Sequence, residues 1–234
     1  MSTVYAVIRG SIGIVALLLG VGRAAGAIHA DAGEPFALAI RLCVDSSLTS
    51  RGMTERVKAE TEAIWGSYGV RLEWTDADAP ESTAHRTFLD ARVERRFDRR
   101  RQMEWPAVLG RTTVAPDAPM WRPIRVSFEA TERALALRTS GPSGRIVLDP
   151  ELGRALGRVL AHEIGHVLLG PPHHDLAGLM RASFSAEELG DPDRTPFRLT
   201  RGGVERLRGR LREWSLDPQR MQRSNSSADA SCIP

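Results

Sequence analysis

The chain has 234 residues, with 32 Lys or Arg, 29 Asp or Glu, 6 His and 2 Cys; 42% are hydrophobic and 26% charged. This is a globular composition, and it excludes a long disordered chain, a collagen-like repeat and a multi-span membrane protein. Two cysteines exclude a disulfide-dense scaffold and a four-cysteine zinc site. The net charge is only +3, and of the 32 basic residues Arg9 and Arg23 lie near the N-terminus, which leaves 30 against 29 acidic ones from Ile28 onward. That balance argues against a nucleic-acid partner, which calls for a larger surplus gathered on one face.

Residues 1–27 have the anatomy of a signal peptide. Arg9 is followed by an uncharged apolar stretch from Ser11 to Gly22, and Ala25-Gly26-Ala27 offers small residues for cleavage. The stretch is shorter than the about 20 residues of a membrane span, so a membrane contact is expected only if the segment stays uncleaved. The expectation is bacterial export to the periplasm or medium, where a disulfide between Cys43 and Cys232 can persist.

Phe36 to Val44 alternates as a strand. Thr54 to Tyr68 reads as a helix with Val57, Ile64, Trp65 and Tyr68 on one side, stopped by Gly69, and Val70 to Trp74 as a second strand. Such a strand–helix–strand unit favours parallel pairing through a right-handed crossover. Thr75 to Met120 is less regular. Within it Arg92, Arg95, Arg96, Arg99, Arg100 and Arg101, interleaved with Glu94 and Asp98, read as a solvated helix with ion pairs. Ile124–Phe128, Ala134–Arg138 and Arg145–Leu148 read as three further strands.

The next helix has a well-marked start, with Asp149 as cap, Pro150 at the first helical position and Glu151 favouring the positive end of the dipole. Thr200 caps a last helix whose stripe is Val204, Leu207, Leu211 and Trp214. Residues 28–219 then form one domain, divided near 170, and 220–234 are a polar tail.

The chemistry lies in Leu160–Met180, LAHEIGHVLLGPPHHDLAGLM. At about 100° per residue, His162 and His166 are about 40° apart around the helix axis, so both imidazoles can reach one metal ion from consecutive turns. Glu163 is placed to take the proton of an attacking water without being a ligand itself. Leu152, Leu156, Val159, Leu160, Ile164 and Val167 fill one arc of the helix with Glu163 inside it, a costly place for a carboxylate unless something compensates it. Gly170 can end the helix in the left-handed conformation, and Pro171-Pro172 forbids its continuation. The turned chain can bring His173 or His174 back to the metal.

This segment resembles the metzincin clan of zinc metallopeptidases, whose signature is HExxHxxGxxH followed by a Met-turn. It is closer still to exported bacterial metzincin-like proteins carrying AHEIGHxLLG, then a third His, then GLM. Here those residues are Ala161 to Gly170, His174, and Gly178-Leu179-Met180. The resemblance implies one zinc ion held by His162, His166 and His174, with His173 the alternative third ligand, Glu163 as general base and Met180 as an apolar floor. It implies an α+β fold: a twisted mixed sheet of about five strands, a long helix, an active-site helix and a small, mainly helical C-terminal subdomain. It also implies that a late strand, matched in order by Ala134–Arg138, binds an extended peptide along its edge.

Two departures stand out. Gly170 is four residues after His166, where the family has its glycine at three, and the candidate third ligands follow at seven and eight instead of six. Phe184, not Tyr, follows the Met-turn, leaving Arg181 as a candidate to polarise a substrate carbonyl and Asp175 as a possible partner for a ligand imidazole. The function implied is an exported zinc endopeptidase acting as a monomer on peptides or proteins. The alternative is a non-proteolytic exported protein that keeps the helix for zinc binding or for contact with the cell envelope.

Overall fold

The structure is a computed structural model, and it describes residues 2–8, 35–45, 47–48, 50–75, 88–97, 108–114, 124–136, 149–170 and 174–216. In chain order the elements are β1 (Ser2–Ile8), β2 (Phe36–Val44), α1 (Arg51–Gly66), β3 (Val70–Thr75), β4 (Phe88–Glu94), β5 (Val108–Val114), β6 (Ile124–Ser127), α2 (Phe128–Ala136), α3 (Asp149–Leu169), β7 (Ser183–Phe184), α4 (Ala186–Gly190) and α5 (Arg201–Leu216).

The strand–helix–strand unit forms as its pattern predicts, with β2 and β3 parallel from Phe36 opposite Val70 to Arg41 opposite Thr75. Helix α1 starts three residues before the expected Thr54, because the Ser50 hydroxyl caps it by accepting from the Met53 N–H at 3.2 Å. The sheet order is β3-β2-β4-β6-β5-β1-β7. The first four are mutually parallel, β5 is antiparallel to β6 and to β1, and β7 is parallel to β1. The sheet is therefore mixed, as expected, but its described strands number seven, and of the five anticipated only β2, β3 and β6 are among them.

Ala134–Ala136 lies in helix α2, not in a strand. Its buried residues Ala130, Thr131, Ala134 and Leu135 recur at helical spacing. The segment Arg145–Leu148 lies outside the described residues. Two strands instead come from the irregular stretch. In β4 the apolar Leu89, Ala91 and Val93 point into the core, while Asp90 and Glu94 meet Arg41 and Arg125 of the neighbouring strands at 2.7 and 2.6 Å. The basic run is thus not a helix where it is described: Arg92 belongs to β4, and Arg95 and Arg96 both pair with Glu129. Asp98 to Arg101 lie outside the described residues.

Ser2–Ile8, read above as the start of a leader, pairs with β5 from Ser2 opposite Val114 to Val7 opposite Val108. Cys43 is held in a disulfide; its expected partner Cys232 and the tail 220–234 lie outside the described residues. No helix among the described residues is long and apolar enough to cross a membrane.

Helix α3 is the hub. Nearly all of its 21 residues are buried, between the sheet on one side and α1 and α5 on others. It is joined to α1 by the Thr61 hydroxyl, which donates to the Gly157 carbonyl at 3.1 Å, and by the Trp65 indole, which donates to the Ala161 carbonyl at 3.2 Å. Arg158, which the helical wheel puts on a polar side, has no exposure at all. Its Nε donates to Glu60 of α1 at 2.8 Å, its other nitrogens donate to the carbonyls of Glu188, Leu189 and Asp193, and its guanidinium lies 4.3 Å from the Phe197 ring centroid. The last helix forms where its stripe predicts: Thr200 caps α5, Leu207 and Trp214 are buried, and Val204 and Leu211 pack beside them.

Candidate metal centre

One turn of α3 separates His162 from His166, and both are buried, with Glu163 between them at zero exposure. The helix ends at Gly170 with φ of 92°, the left-handed conformation expected of it. Pro171, Pro172 and His173 lie outside the described residues. The chain then returns His174 to the other two histidines: ring centroids are 5.5 Å apart for His162 and His174 and 5.0 Å for His166 and His174. One ligand nitrogen from each of the three falls within 4.8 Å of the others.

The segment after His174 explains the Gly-Leu-Met motif physically. Gly178 has φ of 76°, and a methyl group there would collide with the Arg198 carbonyl. That same carbonyl accepts from the Leu179 N–H at 2.8 Å. The turn so fixed aims the Leu179 carbonyl at His162, whose Nδ1 donates to it at 2.7 Å. Met180 is buried below the helix, with its sulfur against Gly165, where a side chain would overlap it. Phe184 packs edge-on to His162 with centroids 5.6 Å apart.

A carbonyl can only accept, so the neutral His162 ring carries its proton on Nδ1 and offers a lone pair at Nε2. That lone pair lies 3.0 Å from His166 Nε2, which must then donate to it. A single proton thus bridges two nitrogens that a cation could bridge in its place. Burial pushes the His162 pKa down to about 4, with the charge of His174 adding to it against the Leu179 hydrogen bond. Burial, then the neighbouring His162 and His174, push His166 down to about 2. Both rings are therefore neutral at pH 7, the state a metal ligand requires. Three imidazole nitrogens gathered within 4.8 Å are of the kind and number that would hold a zinc ion with a position left open for water. The donor set fits zinc.

Glu163 faces the sheet. Its Oε2 accepts from the Thr112 hydroxyl of β5 at 2.6 Å. The polar group inside the apolar arc is thus met partly by a residue 51 positions away, which no local spacing discloses. Asp175 accepts from the Thr200 hydroxyl at 2.7 Å and from Arg206 at 2.8 Å, and so ties the loop beside His174 to α5. Arg181 pairs with Glu188 at 2.5 Å and lies over Phe184, 4.6 Å from its centroid.

No family model matches the sequence, and no curated protein matches it. Among solved structures the chain is similar to archaemetzincin from Methanopyrus kandleri, with 19% identity over 78% of this chain and 98% of that one at a TM-score of 0.43. It is also similar to a zinc-dependent peptidase from Methanocorpusculum labreanum, with 16% identity, 72% and 99% coverage and a TM-score of 0.43. A third is metalloproteinase-II from Bacteroides fragilis, with 11% identity, 77% and 54% coverage and a TM-score of 0.44.

Proposed function

We propose that this chain is an exported, metzincin-like zinc endopeptidase. The observation that carries the reading is the convergence of three histidines, two from α3 and one from the segment after it, beside a buried glutamate side chain of α3. His162, His166 and His174 would hold the ion, Met180 would floor the site, and the segment from Asp175 to Leu216 would be the smaller subdomain that closes it. Zinc, when bound, supplies Lewis-acid chemistry that acidifies water and polarises a carbonyl.

The chain's own residues do the rest. Glu163 takes the proton of the attacking water on its carboxylate and returns it to the leaving amine. The Leu179 carbonyl holds the His162 proton at Nδ1 and so keeps Nε2 available as a ligand. β5 carries the partner of the base. In a mature chain without residues 1–27, its outer edge would lose β1 and offer backbone groups to an extended peptide. β5 thus replaces Ala134–Arg138 as the strand for that role.

The test is made on protein recovered from the medium or periplasm. Its N-terminus is sequenced, its zinc content measured, and a peptide library is offered to it and to Glu163→Gln. The expected result is a start at Ile28, one zinc per chain in both proteins, and cleavage that falls by about 10²–10⁴-fold in the variant. Zinc binding without cleavage by the natural sequence would instead favour the zinc-binding alternative.

A further inference from the structure

We propose that Thr112 is a positioning residue for Glu163, a role that rests on the reading of Glu163 as the general base. Thr112 stands in β5 with no exposure, and its hydroxyl lies 2.6 Å from Glu163 Oε2 and 3.3 Å from the Glu163 carbonyl. Two residues earlier, on the same face of the strand, Gly110 leaves the space that the Glu163 side chain fills. A methyl group at Gly110 would lie 2.8 Å from Glu163 Cγ and from Val159 Cγ1 and would collide with the carboxylate itself. β5 therefore presents a matched pair to the helix: a void that admits the carboxylate and a hydroxyl that grips one of its oxygens.

The chemistry gives that grip a purpose. The last torsion of a glutamate side chain is broad, so its carboxylate plane is not fixed by the helix that carries it. A base must reach its proton within about 2.6–3.2 Å in a productive direction. A hydroxyl has a single proton to give, and at 2.6 Å it goes to Oε2 of the Glu163 carboxyl group. Threonine is β-branched and stiff about its first torsion, so the donor is itself held in place. The plane of the base is thus set from the sheet, while the metal ligands are set from the helix and the turn after it.

The test compares Thr112→Val, which keeps shape and removes the donor, with Thr112→Ser, which keeps the donor. The first readout needs neither metal nor turnover. In metal-free protein, the infrared difference between the natural sequence and Glu163→Gln isolates the band of the Glu163 carboxyl group. That band should shift in Thr112→Val and return in Thr112→Ser. The second readout is kinetic, on the zinc-loaded protein: kcat should fall about 10- to 100-fold in Thr112→Val with KM and zinc content unchanged, and recover in Thr112→Ser. Thr112→Ala replaces the valine variant should that fail to fold. An unshifted band, natural kcat in Thr112→Val, or equal losses in the valine and serine variants would overturn the proposal. A shifted band in a protein whose natural form cleaves no peptide would instead overturn the reading of Glu163 as a base while leaving the Thr112 bond in place.

Discussion

Substituting Glu60 by alanine tests whether α3 is held by charge burial. Glu60 is 2% exposed and lies between two guanidinium groups. Arg158, with no exposure, donates to Oε1 at 2.8 Å, and Arg194, about half exposed, donates to Oε2 at 2.8 and 3.0 Å. Burial already pulls the Arg158 pKa down, against the pull of Glu60. Without Glu60, Arg194 can turn to water but Arg158 cannot. Its remaining partners are carbonyl oxygens and a ring face, which solvate a cation without neutralising it. Removing one partner of a buried ion pair typically costs about 3–5 kcal/mol, and that is the loss expected for Glu60→Ala in equilibrium urea unfolding of the metal-free protein. Arg194→Ala should cost about 1 kcal/mol or less, since its side chain is half in solvent. Replacing both buried partners, as Glu60→Leu with Arg158→Met, should recover only part of the loss, because three carbonyls of the 188–193 segment still lose their donor. A loss below about 1 kcal/mol in Glu60→Ala would refute the reasoning, since it would mean that Arg158 is solvated or mobile rather than buried and paired.

His174→Ala should cost zinc affinity more than the about 10–100-fold typical of losing an outer partner, measured as metal retained after dialysis, while His173→Ala should retain zinc; equal retention in the two variants would remove His174 from the ligand set. The metal-free protein should weaken in acid. His162 and His166 stay neutral in the fold down to about 4 and about 2 but titrate near 6.5 when unfolded, so the unfolded chain binds more protons as pH falls below about 6.5. Their contribution is complete above that pH, and each site should lose about 1.4 kcal/mol per pH unit below it; a urea midpoint unchanged between pH 7.5 and 5.5 would contradict this.

The legible parts of this protein are those in which cause and effect sit on the same stretch of chain. His162 and His166 share a helical face by spacing alone, Gly170 ends their helix in the conformation its lack of a side chain permits, and Thr200 caps α5 three residues before Gly203. The β4 strand was also within reach, because Leu89, Ala91 and Val93 alternate. The arginines that follow drew the same segment toward a helical reading, and only the neighbouring strands show why charges stand there: Asp90 and Glu94 are answered by Arg41 and Arg125 across the sheet. Ala134-Leu135-Ala136 could be read either way, and burial at helical spacing against α3 decided it. Ser2–Ile8 carries the β-forming Thr3, Val4, Tyr5, Val7 and Ile8 inside a stretch that also has the charge order of a leader, so the same residues support a strand and an address.

What sequence could not disclose is how the site is aimed. The three histidines proposed as ligands are close in sequence, but their orientation is tertiary. The proton of His162 is held by a carbonyl 17 residues on, and that carbonyl is held in turn by the Arg198 backbone through a glycine that no other residue can replace without collision. Glu163 is gripped by a hydroxyl from β5, and the loop at Asp175 is tied to α5. Each of these partners is chemically ordinary, a carbonyl, a hydroxyl or an arginine, and each acquires meaning only from the element that delivers it. This division has a physical basis. Ligand identity must satisfy the metal, which a few residue types can do. Ligand direction must be fixed against thermal motion, and that rigidity comes from packing and hydrogen bonds supplied by the rest of the fold.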